Sequence, residues 1–139
     1  MKNVDFDTWQ SICQRKAQYC RFLDTKDWDA FAELFCEGLE LDVSGGTDVA
    51  PVVGRSAALE MIRSHIETAK TVHQVGSPEM SEQAPGRVQV IWAMQDVVDT
   101  DEYRIHGYGN YHETWERQGG VWRIAVLTLK RFVIDLNAK

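Results

Sequence analysis

Four side chains in this sequence could together move a proton. His73 lies between Val72 and Val75 in a strand-like segment, and imidazole is the side chain best poised to take and return a proton near neutral pH. Over residues 87–98 the even positions are Val88, Val90, Trp92, Met94, Asp96 and Val98. Alternate residues of a strand share a face, so the Asp96 carboxylate points the same way as its apolar neighbours. Burying it there without a partner is costly, so it is either paired or at a solvated strand end. Asp24 closes the first helical segment, where a carboxylate opposes the helix dipole; it is either a turn residue or a group kept for another use. Tyr19 sits about one and a half turns earlier, on or beside the apolar face, as core packing or as a phenol donor. A nearby carboxylate would orient and tune the imidazole for proton transfer.

Other chemistries find little support. His65 falls near the polar side of a helix, where solvation is expected. His106 and His112 are roughly 20 Å apart along one strand and cannot share a metal. No HExxH, CxxC, nucleophile elbow, P-loop or GxGxxG occurs. Gly107-Tyr108-Gly109 lies inside a strand and reads as a point of sheet bending. No metal and no cofactor are expected.

The elements that must position these groups follow from hydrophobic period. Trp9, Ile12, Cys13, Tyr19, Cys20 and Leu23 fit one face of a helix over residues 5–23, with Gln, Lys and Arg on the other side. Asp27 is placed to cap a second helix that buries Trp28, Phe31, Leu34 and Phe35 and stops at Gly38. Residues 39–43 alternate as a strand, and residues 44–54 form a loop long enough to cover something. Ser56 caps a third helix carrying Ala57, Leu59, Ile62 and Ile66. Strands are expected over residues 71–76, 87–98, 103–118 and 121–133, with residues 78–86 as a turn region. The result is an α+β layout, a curved and mostly antiparallel sheet with three helices around an apolar pocket.

The chain has 139 residues, 44% hydrophobic and 26% charged, an ordinary balance for one globular domain over residues 1–139. A formal charge of −6, with no run of Lys and Arg longer than two, opposes nucleic-acid binding. No apolar run approaches a membrane span, and residues 1–8 are charged and lack the apolar centre of a signal peptide. Cys13, Cys20 and Cys36 read as reduced, buried thiols of a cytoplasmic protein.

The segment Tyr19-Cys20-Arg21-Phe22-Leu23-Asp24-Thr25-Lys26-Asp27-Trp28-Asp29 resembles the opening of SnoaL-like proteins. The ending resembles them too, in His112-Glu113-Thr114-Trp115-Glu116-Arg117 and Gly120-Val121-Trp122-Arg123-Ile124. These proteins belong to the cone-shaped nuclear transport factor 2-like superfamily, and the element order above is theirs. The resemblance sharpens toward the cofactor-free group of scytalone dehydratase, bile-acid 7α-dehydratase and hexachlorocyclohexane dehydrochlorinase. There an Asp ends the first helix and a His sits on the first long strand, positions matched by Asp24 and His73. The bile-acid enzyme pattern adds a Tyr and a second Asp at spacings matched by Tyr19 and Asp96.

The resemblance implies a dehydratase-type lyase acting on a hydrophobic, hydroxylated cyclic molecule, steroid-like or polyketide-like. His73 would be the base, with Asp24 orienting it and Tyr19 holding a substrate oxygen. Asp96 would stay protonated and assist the leaving group, or polarise His73 from its other side. Trp92 and Met94 suit an aromatic or polycyclic substrate; Tyr111 falls near another pocket position, and Arg131 or Lys130 supplies a pocket cation. A homotrimer or homodimer is expected, with no nucleic-acid or membrane partner. Two other readings share the fold: a non-catalytic ligand-binding or dioxygenase-small-subunit-like protein, and a ketosteroid-isomerase-like or polyketide-cyclase-like enzyme.

Overall fold

The structure is a computed structural model that describes residues 2–45 and 48–139. Its elements run α1 (Phe6–Thr25), α2 (Trp28–Ala32), β1 (Phe35–Asp42), β2 (Val52–Val53), α3 (Arg55–Ile66), β3 (Lys70–Ala84), β4 (Arg87–Asp99), β5 (Tyr103–Gln118) and β6 (Val121–Ala138). The six strands form one sheet in the order β2-β1-β6-β5-β4-β3. All neighbours are antiparallel except β1 and β6, which run parallel. The inner face of the sheet and the helices enclose a core that includes Ile12, Tyr19, Phe31, Leu39, Val90, Trp115 and Leu127. This is the expected α+β architecture. No helix among the described residues is long and apolar enough to cross a membrane.

Several boundaries differ from the sequence expectation, each for a local reason. The second helix is only five residues long, and the chain is already extended at Phe35. Leu34 and Phe35 are buried by strand pairing: the Ile124 N–H donates to the Leu34 carbonyl at 2.8 Å, and Phe35 stands opposite Ile124. Residues 78–84 continue β3. The pairing breaks between Gly76 and Glu79, where Ser77 takes φ 48°. Pro78 fits there because β3 is an edge strand, where a missing ladder N–H is tolerated. Gly54, at φ 101°, precedes α3 in place of Ser56. The last strand runs on to Ala138.

The face assignment of α1 also needs correction. Trp9 is 41% exposed, whereas Lys16 is fully buried. Lys16 falls on the row Ile12, Lys16, Tyr19, Leu23, the four buried positions of the helix. Of the three thiols only Cys36 is buried; Cys13 and Cys20 are half-buried, and all are free. Burial pushes the Cys20 thiol up to about 11, which removes it as a nucleophile at neutral pH.

Candidate active site

Helix α1 ends because Lys26 adopts the left-handed conformation (φ 61°) and returns its N–H to Leu23 and Phe22 carbonyls. That stop aims Asp24 at β3. The Asp24 Oδ1 atom lies 2.7 Å from His73 Nδ1, and Oδ2 accepts the His73 backbone N–H at 2.8 Å. Thr71 donates its hydroxyl to Oδ1 at 3.0 Å, and Lys26 Nζ in turn donates to Thr71 at 2.7 Å and to the Leu23 carbonyl at 3.3 Å. A cation therefore does complement the helix terminus, through Lys26, and Asp24 is free to orient the imidazole. Accepting the Nδ1 proton leaves the Nε2 lone pair for other work.

Pairing across the sheet sets the second carboxylate beside this pair. His73 stands opposite Asp96, and Asp96 opposite Gly107. Asp96 is buried and its Oδ2 lies 4.0 Å from His73 Nε2. The Asp96 Oδ2 atom also accepts from an Arg131 terminal nitrogen at 2.6 Å. The guanidinium is the partner that a carboxylate on this face requires. Arg131 points inward and Lys130 is exposed, which settles which of the two reaches the pocket.

A bulge makes that reach possible. Tyr108 pairs with Val133 and Gly109 with Arg131, so Phe132 is the extra residue of β6 and is 71% exposed. A Cβ on Gly109 would lie 1.9 Å from the Lys130 carbonyl oxygen, and one on Gly107 would lie 2.5 Å from Asp96 Oδ1 and 2.8 Å from Arg131 Nε. Gly107 thus clears the space in which the ion pair sits, and Gly109 lets the β6 backbone approach at the bulge.

A cavity of about 200 Å³ opens onto this group. Tyr19, His73, Asp96, Tyr103, Tyr111 and Arg131 are among its polar lining residues; Leu23, Ile62, Ile66, Val98, Ile105 and Leu129 are among its apolar ones. Asp24 stands behind His73 and is not part of the lining. Trp92 and Met94 do not line this cavity either. Four and two positions before Asp96 the strand has passed beneath α1, and both border a second, open groove of about 760 Å³ shared with Cys13, Cys20 and Val75, which His73 also lines. Trp92 Nε1 donates instead to Glu113 at 2.7 Å. His65 is exposed yet also borders the cavity, with Nδ1 2.8 Å from the Met61 carbonyl. Its place one turn beyond Met61 and Ile62, both lining residues, was the available signal.

Tyr19 and Tyr111 are buried with their rings 5.9 Å apart in an edge-to-face arrangement. Desolvation holds both phenols well above the usual value; Glu113 and then Cys20 add to this for Tyr19, and Tyr19 and then Asp96 add to it for Tyr111. Both are therefore neutral hydrogen-bond donors throughout the physiological range. When phenolate absorbance is followed upward from pH 9, we expect Tyr19 and Tyr111 to keep their protons in the native protein. The unfolded chain releases the Tyr19 and Tyr111 protons near pH 10 and the folded chain keeps them, so stability falls as pH rises beyond about 10. Four phenols ionising near pH 10 before any loss of circular dichroism would contradict this.

A curved sheet closed by helices over an apolar cavity, as here, is the nuclear transport factor 2-like cone. The chain belongs to the SnoaL-like domain family, whose pattern matches residues 7–128. It is 31% identical over 132 residues to the protein called probable cyclase FGR4 of Gibberella zeae, covering 86% of this chain and 88% of that one. The structure named "Putative Scytalone Dehydratase" from Novosphingobium aromaticivorans superposes with a TM-score of 0.83 at 17% identity, over 92% of this chain and 86% of that one. A type 2 hexachlorocyclohexane dehydrochlorinase (LinA) gives 0.84 at 15% identity, over 95% and 90%. At these identities the two structures speak for the fold.

Proposed function

We propose that this protein is a cofactor-free acid–base enzyme that enolises a cyclic β-hydroxy carbonyl compound and expels the β-hydroxyl as water. The observation that carries the reading is the Asp24–His73 contact of 2.7 Å with His73 Nε2 left on the cavity side, 4.0 Å from Asp96. His73 Nε2 takes the proton from the carbon next to the carbonyl, and the electron pair moves onto the carbonyl oxygen. The neutral Tyr19 and Tyr111 phenols and the Arg131 guanidinium surround the place where that negative charge develops. The resulting imidazolium lies between the Asp24 and Asp96 carboxylates, which stabilise it. It then returns its proton to the departing hydroxyl as the carbon–oxygen bond breaks and the carbon–carbon double bond forms, releasing one water.

A cavity of about 200 Å³ equals roughly seven water volumes. That favours a one- or two-ring polyketide-like substrate over a four-ring steroid. The similarity to a protein called a probable cyclase favours a second outcome of the same first step, in which the enolate carbon attacks a second carbonyl of the substrate and closes a ring.

Both outcomes begin with proton removal, so the test is hydrogen–deuterium exchange. One- and two-ring β-hydroxy ketones are incubated in D₂O with the protein, following deuterium at the carbon next to the carbonyl by NMR and loss of water by mass spectrometry. We expect exchange that disappears in a folded His73→Ala variant. Exchange that survives His73→Ala, or no exchange with any member of the panel, counts against the reading.

A further inference from the structure

Beneath the phenols lies a charged network that the proposed reaction does not use. Lys16 and Glu113 are both fully buried in their side chains and paired at 2.5 Å. Both Glu113 oxygens are engaged: Oε2 accepts from Lys16, and Oε1 accepts from Trp92 Nε1 at 2.7 Å and Trp115 Nε1 at 2.9 Å. Lys16 is not engaged in the same way. Its ammonium has three N–H donors; one serves Glu113, and the nitrogen sits 3.4 Å from the centre of the Tyr19 ring and 3.9 Å from that of Tyr111. A cation on the face of an aromatic ring is attracted by the ring quadrupole, more strongly once water is excluded.

A buried ion pair is poor value as a stabiliser, since well-packed apolar residues do as well or better. This pair does something an apolar pair could not. It clamps one cation against the rings of two tyrosines that line the cavity, and it anchors that cation through a carboxylate fixed by two indoles. We propose that Lys16, held by Glu113, is a positioning residue that sets the Tyr19 and Tyr111 phenols in register for a developing oxyanion. The proposal rests on the cavity being the reaction site, and its test separates the two claims.

The protein is labelled with ¹³C at tyrosine Cζ and compared with Lys16→Met/Glu113→Gln, which removes both charges together and so leaves no buried ion unpaired. p-Nitrophenol serves as the probe, because it is small enough for the cavity and its absorbance reports whether it binds as phenolate. In the double variant the Tyr19 and Tyr111 signals move while those of Tyr103 and Tyr108 stay. The p-nitrophenolate dissociation constant rises about tenfold. Tyr19→Phe raises it too, and the triple variant is no weaker than the worse of its parents, because the clamp acts through the phenols. A folded double variant with unmoved tyrosine signals and wild-type affinity overturns the proposal, as do fully additive losses. If the wild type binds no p-nitrophenol, the oxyanion reading of the cavity falls, and the tyrosine signals alone still decide the role of Lys16. Should the double variant not fold, the unmodified protein decides: ring currents shift the Lys16 Hε protons upfield if the clamp exists, and ordinary lysine values overturn it.

Discussion

Asp24→Asn lowers turnover by roughly 10²- to 10⁴-fold, the range expected when a general base is lost, with little change in KM or in the folded structure. The reason is the tautomer. In the native protein Asp24 can only accept, so the proton sits on His73 Nδ1, 2.7 Å away, and Nε2 keeps its lone pair. An asparagine must still accept the His73 backbone N–H, now bonded to Oδ2 at 2.8 Å. It therefore turns its NH₂ toward Nδ1. The imidazole answers by carrying its proton on Nε2, where it cannot take one from carbon. Long-range ¹H–¹⁵N spectra of labelled protein distinguish the two tautomers directly, and deuterium exchange into substrate gives the rate. Exchange at the wild-type rate in Asp24→Asn would remove the dyad from the mechanism, whatever the tautomer.

The second large effect comes from a single methyl group. Gly109→Ala places a carbon 1.9 Å from the Lys130 carbonyl oxygen and 2.7 Å from Arg131 Cα. These are backbone atoms and cannot swing aside, so β5 and β6 must separate at the bulge that aims Arg131 inward. Overpacking of this kind costs about 3 kcal/mol, or roughly a 10 °C lower melting temperature for a chain of this size. Gly107→Ala is milder in stability and more selective in function. Its methyl meets the Asp96 Oδ1 and Arg131 Nε side-chain atoms at 2.5 and 2.8 Å, which yield by parting the ion pair. We expect a folded protein with a turnover deficit comparable to that of Arg131→Met. Thermal melts and exchange rates of the two alanine variants check both claims; a Gly109→Ala protein that melts with the wild type would mean that the bulge can relax elsewhere.

The strand face and helix end on which these residues sit could be read from residue patterns because the elements that carry them are regular. Grouping Tyr19, Asp24, His73 and Asp96 came instead from the family resemblance. The parity of residues 87–98 put Asp96 on the inner face, and β4 does run unbroken through it. The α1 stop at Asp24 and the strand around His73 were equally legible, since each depends on local periodicity. What escaped is what depends on three-dimensional closure. Lys16 is polar and reads as a surface residue until Glu113, 97 positions later, is seen to meet it. Trp92 and Met94 share the parity of Asp96, but parity along a strand does not say where a helix crosses above it. The length of β3 was misread because Pro78 and Gly86 bracket a stretch that is a strand only by virtue of lying at the sheet edge against β4. The Gly107–Gly109 pair was recognised as bending the sheet; its service to Asp96 and Arg131 needs the register of β6.

The parallel pairing of β1 with β6 bears on how this protein comes to exist in the cell. Phe35 meets Ile124 and Asp42 meets Thr128, so the first strand finds its place only after β6 has been made. The dyad joins residues 49 positions apart, and the Lys16 clamp joins residues 97 apart. Contacts so distant in sequence must bear the entropy of closing large loops before they return any stabilisation, which slows folding. A nascent chain released before β6 emerges holds the imidazole and its carboxylate but lacks the strand that brings Arg131 to Asp96. The full group of Asp24, His73, Asp96 and Arg131 thus comes together as one of the last events of folding.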